Sequence, residues 1–300
     1  MRVLVTGASG PIGAALLPSL REKGMEVVRT SRRAEAPAAG ERLIRWDPMQ
    51  PVPPEAVNGM DAVVHLAGES IVGRWNDAKK SAIRESRVAG TTHLAQALAA
   101  CAAKPRVFLC ASAVGYYGDR GEEIMRESSP PGNGFLPDVC VAWEAATTPA
   151  SDAGIRTVNL RIGIVLSPRG GALGAMRLPF SLGLGGKLGN GRQWMSWIDV
   201  EDVAGAILHA VATESIAGPV NGVSPNPVTN AEFTRTLAGV LHRPAIFPVP
   251  AFGARLAMGE MADALLLASE RVVPDKLTAS GYKFRHPELR GSLERLLTKP

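Results

Sequence analysis

Cysteine is scarce in this chain of 300 residues, which contains only Cys101, Cys110 and Cys140. An odd number of cysteines without metal-ligand spacing argues against a disulfide framework and is typical of a reducing compartment. No apolar run approaches the roughly 20 residues that a membrane span requires. Because Val3-Leu4-Val5 already has the pattern of a first strand, we expect no signal peptide. These absences predict a cytoplasmic protein without a membrane partner.

A concentrated basic surface is missing as well. The net charge is only +5, and the basic residues are scattered apart from short clusters such as Arg32-Arg33 and Lys79-Lys80. Nucleic-acid-binding proteins usually combine a basic stripe with interleaved aromatic side chains. We therefore expect no nucleic-acid partner. The five histidines show no metal-ligand spacing, so no metal site is predicted.

What is present is a regular alternation of strands and helices over the first half of the chain. Short β-rich runs recur at 3–5, 26–28, 43–46, 61–66, 107–110 and 156–160. Helical patterns follow several of them, the longest over 77–103. Strands separated by such helices need crossover connections, hence a parallel sheet covered on both faces. The sequence predicts an α/β fold with a Rossmann-type, doubly wound parallel sheet.

After residue 165 this rhythm ends. The glycine-rich segment 163–191 predicts loops that cover a site. A helix over 199–211 and a strand over 218–221 are expected to return to the sheet, and the proline-punctuated remainder to form a mainly helical domain. We assign 1–165, with return segments near 197–222, to a Rossmann domain. We assign 166–196 and 223–300 to a smaller C-terminal domain that covers the substrate.

A glycine pattern lies between the first strand and the first helix, in Thr6-Gly7-Ala8-Ser9-Gly10-Pro11-Ile12-Gly13. In a dinucleotide site the first glycine permits the tight turn, the second lets the backbone approach the pyrophosphate, and the third allows close helix–strand packing. Proline suits the first helical turn, whose free N–H groups attract phosphate. A plain tight turn is the alternative, but the surrounding βαβ unit favours a dinucleotide site. Its predicted members are Gly7, Ser9, Gly10, Pro11, Ile12 and Gly13.

The end of the second strand decides which dinucleotide is expected. An NAD site normally has an acidic residue there, whereas this chain has Thr30-Ser31-Arg32-Arg33. Guanidinium groups offer forked donors to a phosphate, so Arg32 and Arg33 predict NADP(H), with solvated surface arginines as the alternative. Asp47, after the third strand, is either a hydrogen-bond acceptor for the adenine amino group or an exposed loop residue.

The fourth strand ends in the small residues of Leu66-Ala67-Gly68, which would admit the cofactor's ribose or merely end the strand. Glu69 follows and is a candidate contact to cofactor or substrate. A carboxylate beside phosphates needs nearby cations, for which Arg74 and Arg84 are the candidates. We include Arg84 in the predicted cofactor site.

Taken together, these motifs and Ala111-Ser112-Ala113-Val114-Gly115-Tyr116-Tyr117-Gly118 resemble a short-chain dehydrogenase/reductase of the extended, NAD-dependent epimerase/dehydratase-like branch. The resemblance spans nearly the whole chain. Its more specific segments are similar to an atypical epimerase subgroup of unassigned substrate, whose C-terminal domain has no known function. Those segments are Trp143-Glu144-Ala145-Ala146, Arg161-Ile162-Gly163-Ile164-Val165-Leu166, Gly170-Gly171-Ala172-Leu173, residues 191–198, residues 221–228 and Arg243-Pro244.

The chain departs from the superfamily at its catalytic pair. The resemblance implies a Tyr-x-x-x-Lys motif, in which the tyrosine moves a proton and the lysine lowers its pKa and holds the ribose. No such motif occurs in the sequence, and Cys140-Val141-Ala142-Trp143-Glu144 stands at its expected place. Cys140 is either a soft acid or a small buried hydrophobic residue. Glu144 is either an acceptor for the ribose hydroxyls or a helix-surface carboxylate.

Other side chains near the predicted cofactor are candidates for the missing chemistry. Ser112 resembles the superfamily's serine that hydrogen-bonds a substrate oxygen, with Ala113 as the rival position. Tyr116 and Tyr117 are candidate proton donors or aromatic lining of a pocket. Arg161 is expected to contact the ribose or a substrate carboxylate, or else to pair with Glu144.

Two tryptophans in Gln193-Trp194-Met195-Ser196-Trp197 suggest a substrate wall, while core packing is the alternative for Trp197. The sequence thus predicts an NADP(H)-dependent oxidoreductase or epimerase-like enzyme that acts on a small polar molecule. Loss of the catalytic pair leaves a second hypothesis open: a non-catalytic protein that senses NADPH. The substrate and the oligomeric state are left open.

Overall fold

The computed structural model describes residues 1–33, 37 and 41–298. The strands are β1 (Arg2–Thr6), β2 (Glu26–Ser31), β3 (Arg42–Arg45), β4 (Ala62–His65), β5 (Val107–Ala113), β6 (Ile124–Met125), β7 (Arg156–Ile162), β8 (Ile164–Leu166), β9 (Trp194–Met195), β10 (Trp197–Asp199), β11 (Gly218–Gly222), β12 (Val228–Thr229) and β13 (Arg271–Val272). The helices are α1 (Pro11–Glu22), α2 (Pro54–Val57), α3 (Asp77–Ala100), α4 (Phe135–Ala145), α5 (Thr148–Asp152), α6 (Gly171–Ser181), α7 (Val200–Ala212), α8 (Asn230–Val240), α9 (Ala251–Met258), α10 (Asp275–Ala279) and α11 (Leu289–Thr298). A 3₁₀ turn at Val114–Tyr116 and a π-helical turn at Ala262–Leu267 complete the set.

Seven parallel strands form the main sheet in the order β11-β7-β5-β4-β1-β2-β3. All four residues of β4 are buried, as are Val3, Leu4 and Val5 of β1. Such continuous apolar strands form where helices cover both faces of a sheet. The predicted Rossmann-type fold is therefore confirmed. The strand order reverses between β1 and β4, and a ligand crevice is expected at the carboxyl ends of these strands.

The second half of the chain contains more regular structure than its glycine content predicts. The helix α6 lies within the segment 163–191 that we expected to be loops. Three two-stranded sheets, β8 with β10, β9 with β12 and β6 with β13, also have no counterpart in the prediction. Strands of two or three residues are too short to show a period in sequence. The pair β6 with β13 connects the C-terminal region to the loop that follows β5, and the pair β8 with β10 joins the segment after β7 to the start of α7. The pair β9 with β12 lies within the C-terminal region.

The C-terminal region is mainly helical, as predicted, and has apolar packing of its own. A second buried cluster there includes Leu166, Trp197, Phe233 and Leu293. Trp197 is fully buried in this cluster. It therefore packs in the core and does not form a wall of a substrate pocket. The strand β11 pairs with β7 and closes the main sheet at one edge, whereas β10 pairs with β8 outside that sheet. The exact division into domains stays a prediction.

Candidate functional site

The glycine turn has the close contacts that a dinucleotide-binding turn requires. Gly7 adopts φ +68°, and a Cβ there would lie 2.5 Å from the carbonyl carbon of Leu66. A Cβ on Gly13 would lie 2.5 Å from the Cα of Ala8. Gly10 is the N-cap of α1 and has no side chain to cap the helix, while Pro11 occupies the first turn. The positive end of α1 is thereby left for an anion at the crevice.

The end of β2 places two guanidinium-bearing residues beside this turn. Arg32 and Arg33 are exposed, and the N–H of Arg33 donates to the hydroxyl of Ser31 at 3.1 Å. Asp47 lies exposed in the loop after β3, where its Oδ1 accepts from the N–H of Met49 at 3.1 Å. One of its carboxylate oxygens is thus engaged in a local turn, and no described residue hydrogen-bonds the other.

The residues after β4 form the opposite wall of the crevice. The carboxylate of Glu69 accepts from Lys79 at 2.9 Å, and its backbone oxygen accepts from Arg87 at 3.0 Å. The hydrogen bond from Lys79 lowers the pKa of Glu69, partial burial opposes it, and the charges of Lys79, Arg32 and Arg87 lower it further. The cation paired with Glu69 is therefore Lys79, rather than the expected Arg74 or Arg84. Arg84 lies exposed on α3.

The charge of Arg32, after β2, also acts on the carboxylate of Glu69, after β4. Arg87 also packs its guanidinium over the Trp143 ring, 5.0 Å from its centroid. Burial lowers the pKa of Arg87, although it remains a cation in any ordinary pH range. Lys79 and Arg87 were not identified from the sequence, since their relevance depends on α3 packing against the end of β4.

At the ends of β5 and β7, three of the sequence-predicted residues form one network. The hydroxyl of Ser112 donates to Oε1 of Glu144 at 2.7 Å. Arg161 donates from Nε and Nη2 to the two oxygens of Glu144, at 2.8 and 2.9 Å. Only 3% of the Arg161 side chain and 13% of that of Glu144 are exposed. Arg161 was expected either to contact the ribose or a substrate carboxylate, or to pair with Glu144, and the structure shows the pairing with Glu144.

This pairing stabilises the charged form of Arg161. Burial opposes the charge on Arg161, but the hydrogen bonds and the negative charge of Glu144 outweigh it and raise the pKa of the guanidinium. With both carboxylate oxygens held by Arg161, and one of them also by Ser112, Glu144 orients the serine hydroxyl. A substrate hydroxyl can still donate a hydrogen bond to the Ser112 oxygen.

The two neighbouring tyrosines have different environments. Tyr117 is fully buried; its hydroxyl donates to Oδ1 of Asn221 at 2.7 Å and accepts from Arg161 at 3.0 Å. Burial raises the pKa of Tyr117 to about 12. Tyr116 is only partly buried, its ring lies 3.4 Å from the Cζ of Arg161, and no described residue hydrogen-bonds its hydroxyl. Of the two, Tyr116 is therefore the one whose hydroxyl can meet a ligand.

Cys140, at the position where the resemblance implies the catalytic tyrosine, is buried in α4. Burial, the first cause, raises the pKa of its thiol to about 12, with a further contribution from the carboxylate of Glu144. A thiol in this state is a poor acid or base near neutral pH. Within the part of the chain that the structure describes, no group of histidine, cysteine or carboxylate side chains could hold a metal ion.

The geometry of the crevice defines a Rossmann-type dinucleotide-binding protein. Residues 3–221 match the NAD dependent epimerase/dehydratase family, and residues 249–296 match a domain of unknown function, DUF1731. The chain belongs to this epimerase/dehydratase family. It is 43% identical, over 99% of its length and 98% of the relative, to an epimerase family protein of Mycobacterium bovis.

Solved structures give the same assignment. The human epimerase family protein SDR39U1, crystallised with NADPH, superposes with a TM-score of 0.91 at 36% identity, with 100% of both chains covered. A nucleoside-diphosphate sugar epimerase from Corynebacterium glutamicum has a TM-score of 0.82 at 38% identity. The match covers 99% of this chain and 58% of that one. No helix among the described residues is long and apolar enough to cross a membrane.

Proposed function

We propose that this protein binds NADP(H) across the carboxyl ends of its parallel strands and uses it in an oxidoreductase or epimerase-like reaction on a small polar substrate. The observation that carries the proposal is the end of the sheet at which the uncapped N-terminus of α1 follows β1 while Arg32 and Arg33 follow the neighbouring parallel strand β2. The human relative crystallised with NADPH supports the choice of cofactor.

The residues around the crevice fit this dinucleotide. Gly7, Ser9, Gly10, Pro11, Ile12 and Gly13 would hold the pyrophosphate, because backbone N–H groups there are open to an anion. Arg32 and Arg33 would bind the 2′-phosphate, and Asp47 would accept a hydrogen bond from the adenine amino group. Leu66, Ala67, Gly68 and Glu69 would line the ribose, with Arg84 further out on α3.

When bound, the nicotinamide supplies or accepts a hydride. The chain's own residues at that end would orient the substrate. Ser112, held by Glu144 and Arg161, would accept a hydrogen bond from a substrate hydroxyl. The hydroxyl of Tyr116, which no described residue engages, would donate one. Tyr117 is fully buried, so its role would be to accept a hydrogen bond from Arg161 rather than to contact the substrate.

A second function is favoured by one observation, the replacement of the Tyr-x-x-x-Lys pair by the neutral Cys140 and the already paired Glu144. A protein that senses NADPH without turnover would need the cofactor site and no proton donor. Following NADPH absorbance against a panel of aldehydes and ketones separates the two. Turnover of any panel member at a rate above that of the Ser112→Ala variant supports the enzyme. Tight NADPH binding with no turnover across the panel supports the sensor.

The cofactor assignment is tested by calorimetric titration with NADPH and NADH. Arg32→Ala should weaken NADPH binding by roughly five- to thirty-fold, or about 1–2 kcal/mol, because it removes a charge-assisted hydrogen bond at an exposed site. NADH binding should change little. Arg106→Ala is the matched control, since Arg106 is also exposed but precedes β5, at the amino ends of the strands and away from the crevice. Equal binding of NADH and NADPH to the wild type would refute the 2′-phosphate assignment.

A further inference from the structure

A cavity in the C-terminal region is lined by Trp194 and Arg271, together with residues 225–228 and the start of α11. Its volume is about 450 Å³. Small-molecule sites in proteins usually have volumes of roughly 300–1,000 Å³. Trp194 is one of the two tryptophans that the sequence suggested as a substrate wall. The cavity is therefore large enough for a small ligand and contains an aromatic side chain and a cation.

The pairing of β6 with β13 shows which way this cavity faces. Arg271 lies opposite Ile124 in the pairing, and both residues line the cavity. Their neighbours Met125 and Val272 are fully buried and belong to a cluster with Tyr117. Successive side chains of a strand point to opposite faces. The two short strands therefore separate the cavity from Tyr117 and from the hydrogen-bond network around it.

The guanidinium of Arg271 lies against an aromatic ring in this cavity. Its Cζ is 4.1 Å from the centroid of the Trp194 ring, and the residue is partly buried. The ring is itself held, since its Nε1 donates to Glu122 at 2.6 Å. None of the described residues forms a hydrogen bond or an ion pair with the Arg271 side chain. A guanidinium stacked on a ring keeps its N–H groups at its edge, where they match the two oxygens of a carboxylate.

The other charged residues of the lining limit the charge of a ligand. Arg290 pairs with Glu294 at 3.5 Å, and Glu288 accepts from Asn226 at 2.7 Å. Glu232 lies exposed in the first turn of α8. Because two carboxylates line the same cavity, a doubly charged phosphate would be repelled more strongly than a group with one negative charge. A single carboxylate therefore suits the cavity better than a phosphate.

The rest of the lining is largely apolar. Val228 and Leu289 are buried, and Pro225 and Pro227 are partly buried. Ligand sites of this kind combine apolar walls with a small number of polar groups that fix the orientation. A ligand whose carboxylate contacts Arg271 can place an apolar body against these walls. An inorganic anion would leave them without a contact.

We propose that this cavity is a ligand site separate from the cofactor crevice, and that it binds a small monocarboxylate with an apolar body. The carboxylate accepts hydrogen bonds from Arg271 at the edge of the Trp194 ring, and the apolar body packs against Val228 and Leu289. Because β6 and β13 separate the cavity from the crevice, the carboxylate binds with or without NADPH in place. The site does not depend on the reaction proposed above.

The experiment is a titration of the full-length protein with phenylacetate, hexanoate and phenylacetamide, followed by ligand-observed NMR. The wild type should bind both carboxylates, and phenylacetamide at least about tenfold more weakly than phenylacetate, because the amide has no charge for the guanidinium. Arg271→Gln should weaken phenylacetate binding by roughly five- to thirty-fold and leave phenylacetamide binding unchanged. Phenyl phosphate should bind more weakly than phenylacetate, and the opposite order would overturn the choice of a monocarboxylate.

Two further variants control for the position and the sign of the charge. Arg126→Gln removes a guanidinium that follows β6 and pairs with Asp275 but does not line the cavity. It should bind phenylacetate as the wild type does. Glu232→Gln removes a negative charge from the lining, so it should strengthen phenylacetate binding by about two- to five-fold and leave phenylacetamide binding unchanged.

Three results would overturn the site. The first is wild-type protein that binds neither phenylacetate nor hexanoate, and the second is Arg271→Gln that binds phenylacetate as tightly as the wild type. The third is displacement of phenylacetate by NADPH, which would place the carboxylate in the crevice. A wild type that binds phenylacetate but not NADPH would refute the proposed function and support this site.

Discussion

Removing the carboxylate of Glu144 alone should destabilise this protein more than removing the whole ion pair that it forms with Arg161. The guanidinium of Arg161 is 3% exposed and donates two hydrogen bonds to Glu144. Its remaining donors reach the hydroxyl of Tyr117 and the backbone oxygen of Glu127, at 3.0 and 3.3 Å. Glu144→Gln would leave a buried cation without a counter-charge.

The cost of an uncompensated buried charge is about 3–5 kcal/mol. In Glu144→Gln/Arg161→Met the cation is replaced by an apolar side chain of similar length. Tyr117 keeps its bond to Asn221, and the glutamine oxygen can still accept from Ser112. We therefore expect the double variant to lie within about 2 kcal/mol of the wild type. The two substitutions should then show a coupling of at least about 1 kcal/mol.

Urea unfolding followed by circular dichroism measures these differences, with the slopes compared to confirm that the same surface is exposed. Glu260→Gln is the matched control, because Glu260 pairs with Lys80 in an ion pair whose side chains are 48% and 30% exposed. Its loss should cost no more than about 1 kcal/mol. A double variant whose cost equals the sum of the single costs would refute the reasoning, as would a Glu144→Gln variant as stable as the control.

Two further predictions concern the glycine turn after β1 and the buried histidine at the end of β4. Gly7→Ala should lower the free energy of unfolding by at least about 3 kcal/mol, because the alanine would combine a strained left-handed backbone with a clash against backbone atoms. Gly24→Ala is the control, since Gly24 also has a positive φ of +67° but has open space around it. It should lower the free energy of unfolding by only about 1–2 kcal/mol. Equal costs in chemical denaturation would contradict this. Burial lowers the pKa of His65 to about 4. In the unfolded chain the same histidine takes up its proton near pH 6.5. The contribution of His65 to stability is therefore highest above that pH and falls toward pH 4, by at most about 3 kcal/mol. Thermal unfolding between these pH values should show a smaller loss for His65→Gln than for the wild type, and an identical loss would contradict the assignment.

Much of the main sheet could be predicted because its signals are local. The strands β1, β4 and β5 are continuous apolar runs, and the long α3 is an extended polar and apolar pattern that begins at Asp77 as expected. Boundaries differ by a few residues, since helix ends and strand ends depend on packing as well as on propensity. The helix α6 was missed because its glycines resemble those of a loop.

The candidate site divides in the same way. The turn from Gly7 to Gly13 could be read from sequence, because steric limits on the backbone act over neighbouring residues. The partners of Glu69 could not, since Lys79 is ten positions away on another element. The pairing of Arg161 with Glu144 could not be settled from sequence either, because it depends on how α4 packs against β7.

The sequence by itself therefore determined the parallel sheet, the glycine turn, the basic end of β2 and the absence of a Tyr-x-x-x-Lys pair. These are properties of short stretches of chain, in which residue type and spacing fix the backbone or the available chemistry. Only the tertiary structure decided which charges meet. It joined Ser112, Glu144 and Arg161 across three elements. Burial and distance, which set the pKa of such groups, are properties of the packed chain.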